Sequence, residues 1–434
     1  MKKSAGIISI IIGLVTGIQI VGQIIVARIF GARIELDAFV SAVTIPTVLT
    51  TVIAGTLNDA FLPPLKKHQA KGECEGNIYF HKIVILMTIL LIVISVLLQV
   101  FSIPVLGMLF GTRGRSFVLL TDELMKWMVY SLPFTLLGTF SSSYLYSKGV
   151  FIKSSVAYLV GSILNLCIII LLSSTYGIWS MVIAFMGAIF IQLLITYPYR
   201  TFGYMRSALP LITKKETVNE FMTLFFVWIP LIISSLAVRF DNILIRSFAA
   251  RLPEGFIVYT NLVSKLFSGL VGIMTIGLQI VFFPHLLDLV HAKDFKNAKQ
   301  KVQKAKLYGS ILTIAIILVI VYISPFFMRL LLTGGKFSGK NVEILISLFP
   351  YFIIPAVGWG VSQLFFQPII AIGKQYYLTI LNIFAVVLSW VIATHVYSQW
   401  GGLAAISSGL IILSFTGILG AEIIWQLHLK KHLS

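Results

Sequence analysis

One long segment of this chain, residues 83–110, contains no charged residue at all. A helix needs about 20 apolar residues to cross the hydrocarbon core of a bilayer, and this segment is longer than that. The rest of the chain has the same character, since 58% of its residues are hydrophobic and only 11% are charged. Soluble domains are about 45–50% apolar and about 25% charged. The composition therefore excludes an ordinary soluble fold and predicts a membrane protein.

Similar apolar runs recur along the whole chain and predict an all-α polytopic membrane protein with about twelve transmembrane helices. They are far longer than the strands of about ten residues that build a transmembrane β-barrel. The first run is too long for the apolar core of a cleaved signal peptide, so we expect it to be retained as the first helix. The predicted spans are residues 5–29, 36–62, 83–110, 121–146, 152–173, 176–198, 220–247, 255–284, 306–332, 343–372, 375–397 and 400–427.

The charge of the chain predicts its orientation. The formal net charge is +18. With both termini in the cytoplasm, the inner segments hold about twice as many Lys and Arg residues as the outer ones, which is the bias that orients membrane proteins. Arg246 is assigned to an outer segment.

The basic stretch 293–306 has apolar residues three and four apart and predicts an amphipathic helix on the anionic inner leaflet. Anionic lipids are therefore expected partners, and no nucleic-acid partner is expected.

The two halves of the chain carry similar motifs in the same order. Residues 27–33 correspond to residues 245–251, and residues 61–63 correspond to residues 282–284. The near-constant offset predicts two pseudo-symmetric six-helix bundles with a site between them near the membrane midplane. The predicted parts are an N-terminal lobe over 1–198, a cytoplasmic linker loop over 199–219, a C-terminal lobe over 220–428 and a cytoplasmic tail over 429–434.

Charged residues inside predicted spans are costly in a bilayer and are candidates for function. Lys265 lies near the middle of its span, where a cation suits an anionic substrate group such as a diphosphate. The alternative is a lysine neutralised by burial or paired with Asp241. Asp241 is a candidate site for H⁺ or Na⁺, or a member of a structural ion pair, and Arg239 does not share its helical face. Glu422 lies near a span end, where snorkelling explains it.

Arg28 belongs to a charged group at the outer end of the first two helices, with Arg33, Glu35 and Asp37. This group is either a cap at the membrane interface or a set of substrate contacts. The sequence has no phosphate-binding Walker loop, zinc spacing or nucleophile elbow. We therefore expect a non-enzyme without a metal or cofactor, and any pumping would use an ion gradient, the membrane potential or consumption of the product.

Four segments near the N-terminus carry a family resemblance: residues 26–32, 37–39, 45–46 and 59–63. Together they resemble the MurJ/MviN family of lipid II flippases, within the larger group of multidrug, oligosaccharidyl-lipid and polysaccharide exporters. The match continues at residues 252–255, around Lys265, and at residues 283–284 and 334–337. The resemblance implies a flippase of the bacterial cytoplasmic membrane. It would move an undecaprenyl-diphosphate-linked cell-wall precursor, lipid II or a relative, from the inner to the outer leaflet by alternating access.

The resemblance also implies a set of site residues. The family's arginines in the first two helices fall here on neutral residues, Thr16, Gly22, Thr50 and Thr51, and the aspartate of its helix 1 Arg-Asp pair falls on Gln23, whereas its helix 8 arginine falls on Lys265. Lys265 would contact the diphosphate. Asp241, with Asn382, would be the candidate for coupling to Na⁺ or H⁺. The expected substrate contacts are Lys265, Gln19, Gln23, Thr50, Thr51 and Arg28.

Two departures from the family keep other functions open. The family usually has fourteen helices, and this chain has room for twelve, so the last pair is expected to be missing. The loss of arginines favours a flippase for another lipid-linked oligosaccharide, such as an exopolysaccharide or teichoic-type precursor. An ion-coupled drug exporter would prefer a cavity with more carboxylates than Asp241 alone. A scaffold in the cell-wall synthesis machinery, which transports nothing, is the last alternative.

Overall fold

The structure is a computed structural model that describes the backbone of residues 2–433 and all side chains except those of residues 1–6, 9, 270, 273–281 and 433–434. Lys2 and Lys3, which are among the basic residues assigned to the inner segments, have side chains outside the described set. The described chain is almost entirely helical, apart from short connecting loops and one isolated β-bridge between Gly334 and Phe337. Its helices are α1 (Lys2–Phe30), α2 (Ile34–Ala42), α3 (Thr44–Lys71), α4 (Glu73–Val100), α5 (Ser102–Phe110), α6 (Arg115–Met128), α7 (Ser131–Ser147), α8 (Ile152–Tyr176), α9 (Trp179–Thr196), α10 (Gly203–Ala208), α11 (Lys215–Val238), α12 (Phe240–Ala249), α13 (Phe256–His291), α14 (Phe295–Leu332), α15 (Gly339–Ser347), α16 (Phe349–Ala371), α17 (Gln375–Trp400) and α18 (Gly402–Leu433).

The helices confirm the predicted all-α membrane class. Among the described residues, ten segments are long and apolar enough to cross a membrane. The two remaining predicted spans correspond to α6 with α7, which are separated by a break, and to α13, some of whose side chains are not described. The helix content and the span positions together account for the high apolar fraction of the chain.

Five predicted spans are not continuous helices, and a proline lies at the break in four of them. The spans 36–62, 83–110, 121–146 and 343–372 are each divided in two. A proline has no backbone N–H, and its ring clashes with the carbonyl group four residues earlier. In each pair the second helix carries a proline within its first three residues, so that the clash falls at or beside the end of the first helix. These prolines are Pro46, Pro104, Pro133 and Pro350.

The predicted span 220–247 is also divided, at Arg239, without a proline at the break. Arg239 has non-helical backbone angles and precedes α12, and Asp241 lies in the first turn of that helix. The prediction that both residues lie inside one helix was therefore wrong. A carboxylate in a first helical turn is favourable because the unpaired backbone N–H groups there carry partial positive charge.

Helix packing repeats in the same order in two units, residues 1–236 and 237–434. In the first unit α3 packs on α4 and α7, α4 on α7, α7 on α9, and α8 on α9. In the second unit α13 packs on α14 and α16, α14 on α16, α16 on α18, and α17 on α18. The same helix pairs therefore form in each half, which confirms the predicted pseudo-symmetric repeat.

The segment predicted as the linker loop 199–219 is largely helical. It contains α10, flanked by two short 3₁₀ turns, and the beginning of α11. The ring Nε2 of His81 in α4 lies 2.8 Å from the carbonyl oxygen of Thr201. Thr201 is buried, so this segment is anchored to the first unit at its start. The domain boundaries taken from the sequence stay a prediction.

The basic stretch 293–306 is not a separate surface helix, because α14 runs without a break from Phe295 to Leu332. Asp294 caps this helix by accepting a hydrogen bond from the backbone N–H of Asn297 at 3.1 Å. The side-chain amide of Asn297 also hydrogen-bonds Asp294 and holds the pKa of its carboxyl group below the usual value. The apolar side of the stretch packs against Trp425 of α18. The apolar side of the stretch therefore covers protein, and not the lipid headgroups that the sequence predicted.

Gly161 marks a close contact between α8 and α9. A Cβ atom at this position would lie 2.9 Å from the carbonyl oxygen of Ala188 and 2.6 Å from Nε2 of Gln192. We expect Gly161→Ala to lower the free energy of unfolding by about 1–3 kcal/mol, because the backbone carbonyl of Ala188 has to move. Thermal unfolding of the purified protein in detergent would measure this.

Gly107 of α5 provides the control for that substitution, since a Cβ atom there meets nothing within 4 Å. Gly107→Ala should leave the melting temperature unchanged or raise it, because alanine lowers the entropy of the unfolded chain. Equal melting temperatures for the two variants would contradict the close packing of α8 on α9.

Candidate functional site

Two basic residues of the second unit lie close together on adjacent helices. Arg246 of α12 is buried and donates from Nη2 to Oδ1 of Asn261 in α13, at 3.0 Å. Asn261 and Lys265 are four residues apart and therefore share a face of α13. The ammonium group of Lys265 lies within electrostatic reach of the Arg246 guanidinium. The result is a local concentration of positive charge, in which Arg246 is held in place by an amide.

Lys265 itself remains available for a ligand. Its side chain is exposed, and within the described part of the chain no hydrogen bond or ion pair joins it to another side chain. The alternative of a Lys265–Asp241 ion pair is therefore not realised in this conformation. The carboxylate of Asp241 instead accepts hydrogen bonds from the backbone N–H and the side-chain amide of Asn242, at 2.8 and 2.9 Å.

The two residues proposed for ion coupling are not joined by a hydrogen bond in the described structure. Phe240, beside Asp241, packs against Trp390 of α17 with ring centroids 5.8 Å apart. Asn382 lies eight residues before Trp390 in α17, a separation of about 12 Å along the helix axis. Its Oδ1 faces Gly417 of α18. Among the described residues, no group of three His, Cys, Asp or Glu side chains is arranged to hold a metal ion. The coupling role of the pair stays a prediction.

Arg246 is the site residue that sequence reasoning missed. It was assigned to an outer segment, whereas the structure places it in the last turn of α12 and buries it. The available signal was the internal repeat, which aligns Arg246 with Arg28. An arginine at the same place in both halves is a better candidate than either arginine considered alone. Arg28 lies in the last turn of α1, where its side chain is exposed.

The predicted neutral contacts lie in the first unit on two helices. Gln19 of α1 is exposed, and its Nε2 lies 3.5 Å from the hydroxyl oxygen of Tyr158 in α8. Thr50 and Thr51 of α3 donate their hydroxyl hydrogens to the carbonyl oxygen of Thr47, at 3.1 and 2.7 Å. These two hydroxyls therefore have acceptor lone pairs left for a ligand and no free donor. Gln23 is half-buried in α1.

Two other charged candidates have protein partners. Asp37, predicted as part of an interfacial group, is fully buried and accepts a hydrogen bond from Nη1 of Arg113 at 3.0 Å. Glu422, for which snorkelling was expected, forms an ion pair with Lys306 of α14 and accepts a hydrogen bond from Gln426 at 2.7 Å. Both carboxylates therefore have structural roles within their own units.

Asn261 is expected to stabilise the second unit through Arg246. In Asn261→Leu the buried guanidinium loses an acceptor, and a hydrogen bond to a charged group is worth about 1.5–3 kcal/mol. We expect a loss of thermal stability of that order in the purified protein. Asn261→Asp, which keeps an acceptor at the same place, should retain most of the stability. Equal destabilisation by both substitutions would contradict this role.

Comparison with known proteins identifies the family. The sequence profile of the family described as "Lipid II flippase MurJ" matches residues 26–432. A curated relative from Borreliella burgdorferi, described as "Probable lipid II flippase MurJ", is 24% identical over 363 residues, which is 81% of this chain and 70% of the relative. The family profile thus covers most of the chain, including every residue of the basic site in the second unit.

Solved structures share the fold. A structure described as "Lipid II flippase MurJ, inward closed conformation" matches with a TM-score of 0.78 at 18% identity, over 98% of this chain and 89% of that one. An inward-facing multidrug transporter of the MATE family matches with a TM-score of 0.76 at 16% identity, over 96% of both chains. Because the family profile matches residues 26–432, the chain belongs to the MurJ family of lipid II flippases, which are membrane transporters rather than enzymes.

Proposed function

We propose that this protein moves lipid II, a polyprenyl-diphosphate-linked cell-wall precursor, from the inner to the outer leaflet by alternating access. Family membership supports this proposal, and the basic site of Arg246, Asn261 and Lys265 is the observation that carries it. A multi-pass membrane protein bears a high cost for each cation within its spans. Lys265 lies within a predicted span and Arg246 is buried on the adjacent helix, so an anionic ligand would offset the cost of both charges.

The two cations suit different parts of a diphosphate. The guanidinium of Arg246 is planar and pairs with phosphate oxygens through two parallel N–H groups, whereas the Lys265 ammonium acts as a mobile point charge. Asn261 fixes the orientation of Arg246, because its Oδ1 accepts from Nη2. Lys265 has no such restraint and is free to follow the phosphate group as the lipid moves.

The remaining predicted residues complete the proposal. Gln19, Gln23, Thr50 and Thr51 would offer neutral hydrogen bonds to the headgroup, and Arg28 a further cation. Asp241 and Asn382 remain the candidates for coupling to Na⁺ or H⁺. In the proposed orientation both termini face the cytoplasm, and the membrane is the bacterial inner membrane. Anionic lipids and the cell-wall synthesis machinery are the proposed partners besides the substrate.

A second candidate substrate is another lipid-linked oligosaccharide with the same diphosphate. The observation that favours it is the set of neutral residues at the family's charged positions in the first two helices. Neutral side chains attract an anionic headgroup less strongly than arginines do, so they are compatible with a headgroup that carries less negative charge. Expression of this chain in cells depleted of their own lipid II flippase separates the two substrates. Restored growth supports lipid II, and failure to restore growth with a correctly inserted protein favours the other precursor.

Lys265 provides the direct test of the basic site. Lys265→Ala should reduce lipid II translocation by about tenfold to a hundredfold, because a charge-assisted hydrogen bond to the diphosphate is lost. The appearance of the lipid II headgroup at the outer leaflet measures the rate. Lys265→Arg should retain most of the activity, since it keeps the charge.

Lys340→Ala is the matched control, because Lys340 is an exposed lysine of α15 outside the basic site. It should translocate lipid II at the rate of the unmodified protein. Unchanged transport by Lys265→Ala, with a normal melting temperature, would exclude the proposed contact.

A further inference from the structure

The first unit contains a cavity that the basic site does not use. Its volume is about 390 Å³, and it lies among α1, α3, α7, α8 and α9. Ligand pockets typically have volumes of about 300–1,000 Å³. At about 30 Å³ for each water molecule, the cavity is too large to be a site for one or two structural waters. It is therefore large enough to hold an organic group.

The wall of this cavity is mostly apolar, and its polar groups are uncharged. It includes the amides of Asn58 and Gln192 and the hydroxyl groups of Thr139 and Tyr158, and none of the described lining residues is charged. A phosphate or carboxylate would have no counter-charge in this wall, and burial of an unpaired charge is very costly. The chemistry of the wall therefore excludes the diphosphate as the occupant and favours a neutral group rich in hydrogen-bonding atoms.

Two hydroxyl groups of the wall lack partners. Oγ1 of Thr135 in α7 and Oγ of Ser154 in α8 are buried, and neither has a hydrogen-bond partner within the described part of the chain. Both residues line the cavity. A buried polar group without a partner costs about 1–3 kcal/mol. Neither oxygen is exposed to the cavity as it stands, so a ligand would relieve that cost once the side chain rotates its hydroxyl toward the cavity. Each hydroxyl both donates and accepts, which matches the hydroxyl groups of a sugar.

Aromatic rings supply part of the apolar wall of the same cavity, beside aliphatic side chains such as Ile11 and Ile189. Phe134, Tyr146 and Tyr158 all line it, so a ring-shaped ligand would meet flat apolar surfaces as well as hydroxyl groups. Small-molecule sites generally combine such surfaces with a few placed polar groups. A sugar ring has apolar C–H faces and polar edges, and this wall provides a counterpart for each.

The neutral residues singled out from the sequence lie next to this cavity. Val15 of α1 and Ala54 of α3 line it. Gln19 lies four residues after Val15, and Thr50 lies four residues before Ala54, so each shares a helix face with a lining residue. Nε2 of Gln19 is 3.5 Å from the hydroxyl oxygen of Tyr158, itself part of the wall. Polar neutral side chains therefore continue from the cavity along both α1 and α3.

We propose that this cavity binds an uncharged sugar unit of the lipid-linked headgroup. The identity of the donor lipid rests on the proposed function, whereas the class of ligand follows from the cavity itself. The cavity includes Tyr146 near the end of α7, Ser154 near the start of α8 and Thr196 at the end of α9. In the proposed orientation these helix ends face the cytoplasm, which is the side from which the headgroup enters.

Gly138 is a position from which a larger side chain can enter the cavity. It lines the cavity, and a Cβ atom there would meet nothing within 4 Å. The probes are N,N′-diacetylchitobiose, an uncharged disaccharide, and sodium pyrophosphate, and saturation-transfer NMR with the full chain in lipid nanodiscs measures their binding. Gly138→Leu should lower disaccharide affinity at least tenfold and leave pyrophosphate affinity unchanged. Gly107→Leu, at an equally open glycine of α5, should bind both probes normally.

A second variant tests the two hydroxyl groups. Thr135→Val combined with Ser154→Ala should reduce disaccharide affinity about tenfold, the loss expected for two neutral hydrogen bonds. Its melting temperature should not fall, because these hydroxyls stabilise no protein contact. A purely structural role would lower the melting temperature and leave disaccharide binding unchanged, and that result would overturn the proposal.

The outcomes separate this inference from the proposed function. If the unmodified protein binds pyrophosphate and translocates lipid II but does not bind the disaccharide, or if Gly138→Leu binds it normally, the sugar site is wrong and the flippase proposal stands. If the unmodified protein binds the disaccharide and Gly138→Leu does not, the sugar site is supported. In that case a failure to translocate lipid II would contradict only the choice of substrate lipid.

Discussion

The absence of water from the hydrocarbon core is the constraint on which the rest of this structure depends. Every backbone N–H and C=O group there needs a partner within the protein, so the chain forms helices wherever it crosses. The same constraint acts on side chains, since Thr44, Thr56 and Thr313 each return a hydroxyl hydrogen bond to the carbonyl group four residues earlier. Breaks are confined to places where proline or a charged residue interrupts the helix.

The sequence predicts the class and the repeat well, because both depend on long-range patterns of apolar residues and on short motifs. The sequence predicts poorly whether each span is one unbroken helix. Pro104 splits its span, whereas Pro325 and Pro355 lie inside unbroken helices. The presence of a proline therefore does not by itself decide whether a helix breaks, because neighbouring helices, side chains or water can satisfy the freed carbonyl group.

The candidate site likewise contains residues that the sequence identifies and residues that only the packing reveals. Lys265 was found from its charge, since a cation within an apolar run is visible in the sequence. Arg246 was missed because it lies near a predicted span end and was assigned to an outer segment, whereas its side chain is buried in the last turn of α12. The cavity of the first unit was not foreseen, because its wall is assembled from side chains on five helices and each helix alone has an ordinary composition.

The length of α14 has a consequence for how charge is displayed outside the membrane. Its 38 residues extend about 57 Å at 1.5 Å per residue, whereas the hydrocarbon core is about 30 Å thick. The helix is therefore longer than the core is thick by about 27 Å, and Lys296, Lys301 and Lys304 are exposed near its N-terminal end. The Debye length at physiological salt is about 8 Å. In the proposed orientation this end of α14 faces the cytoplasm, so the lysines within about one Debye length of the headgroups attract the anionic inner leaflet.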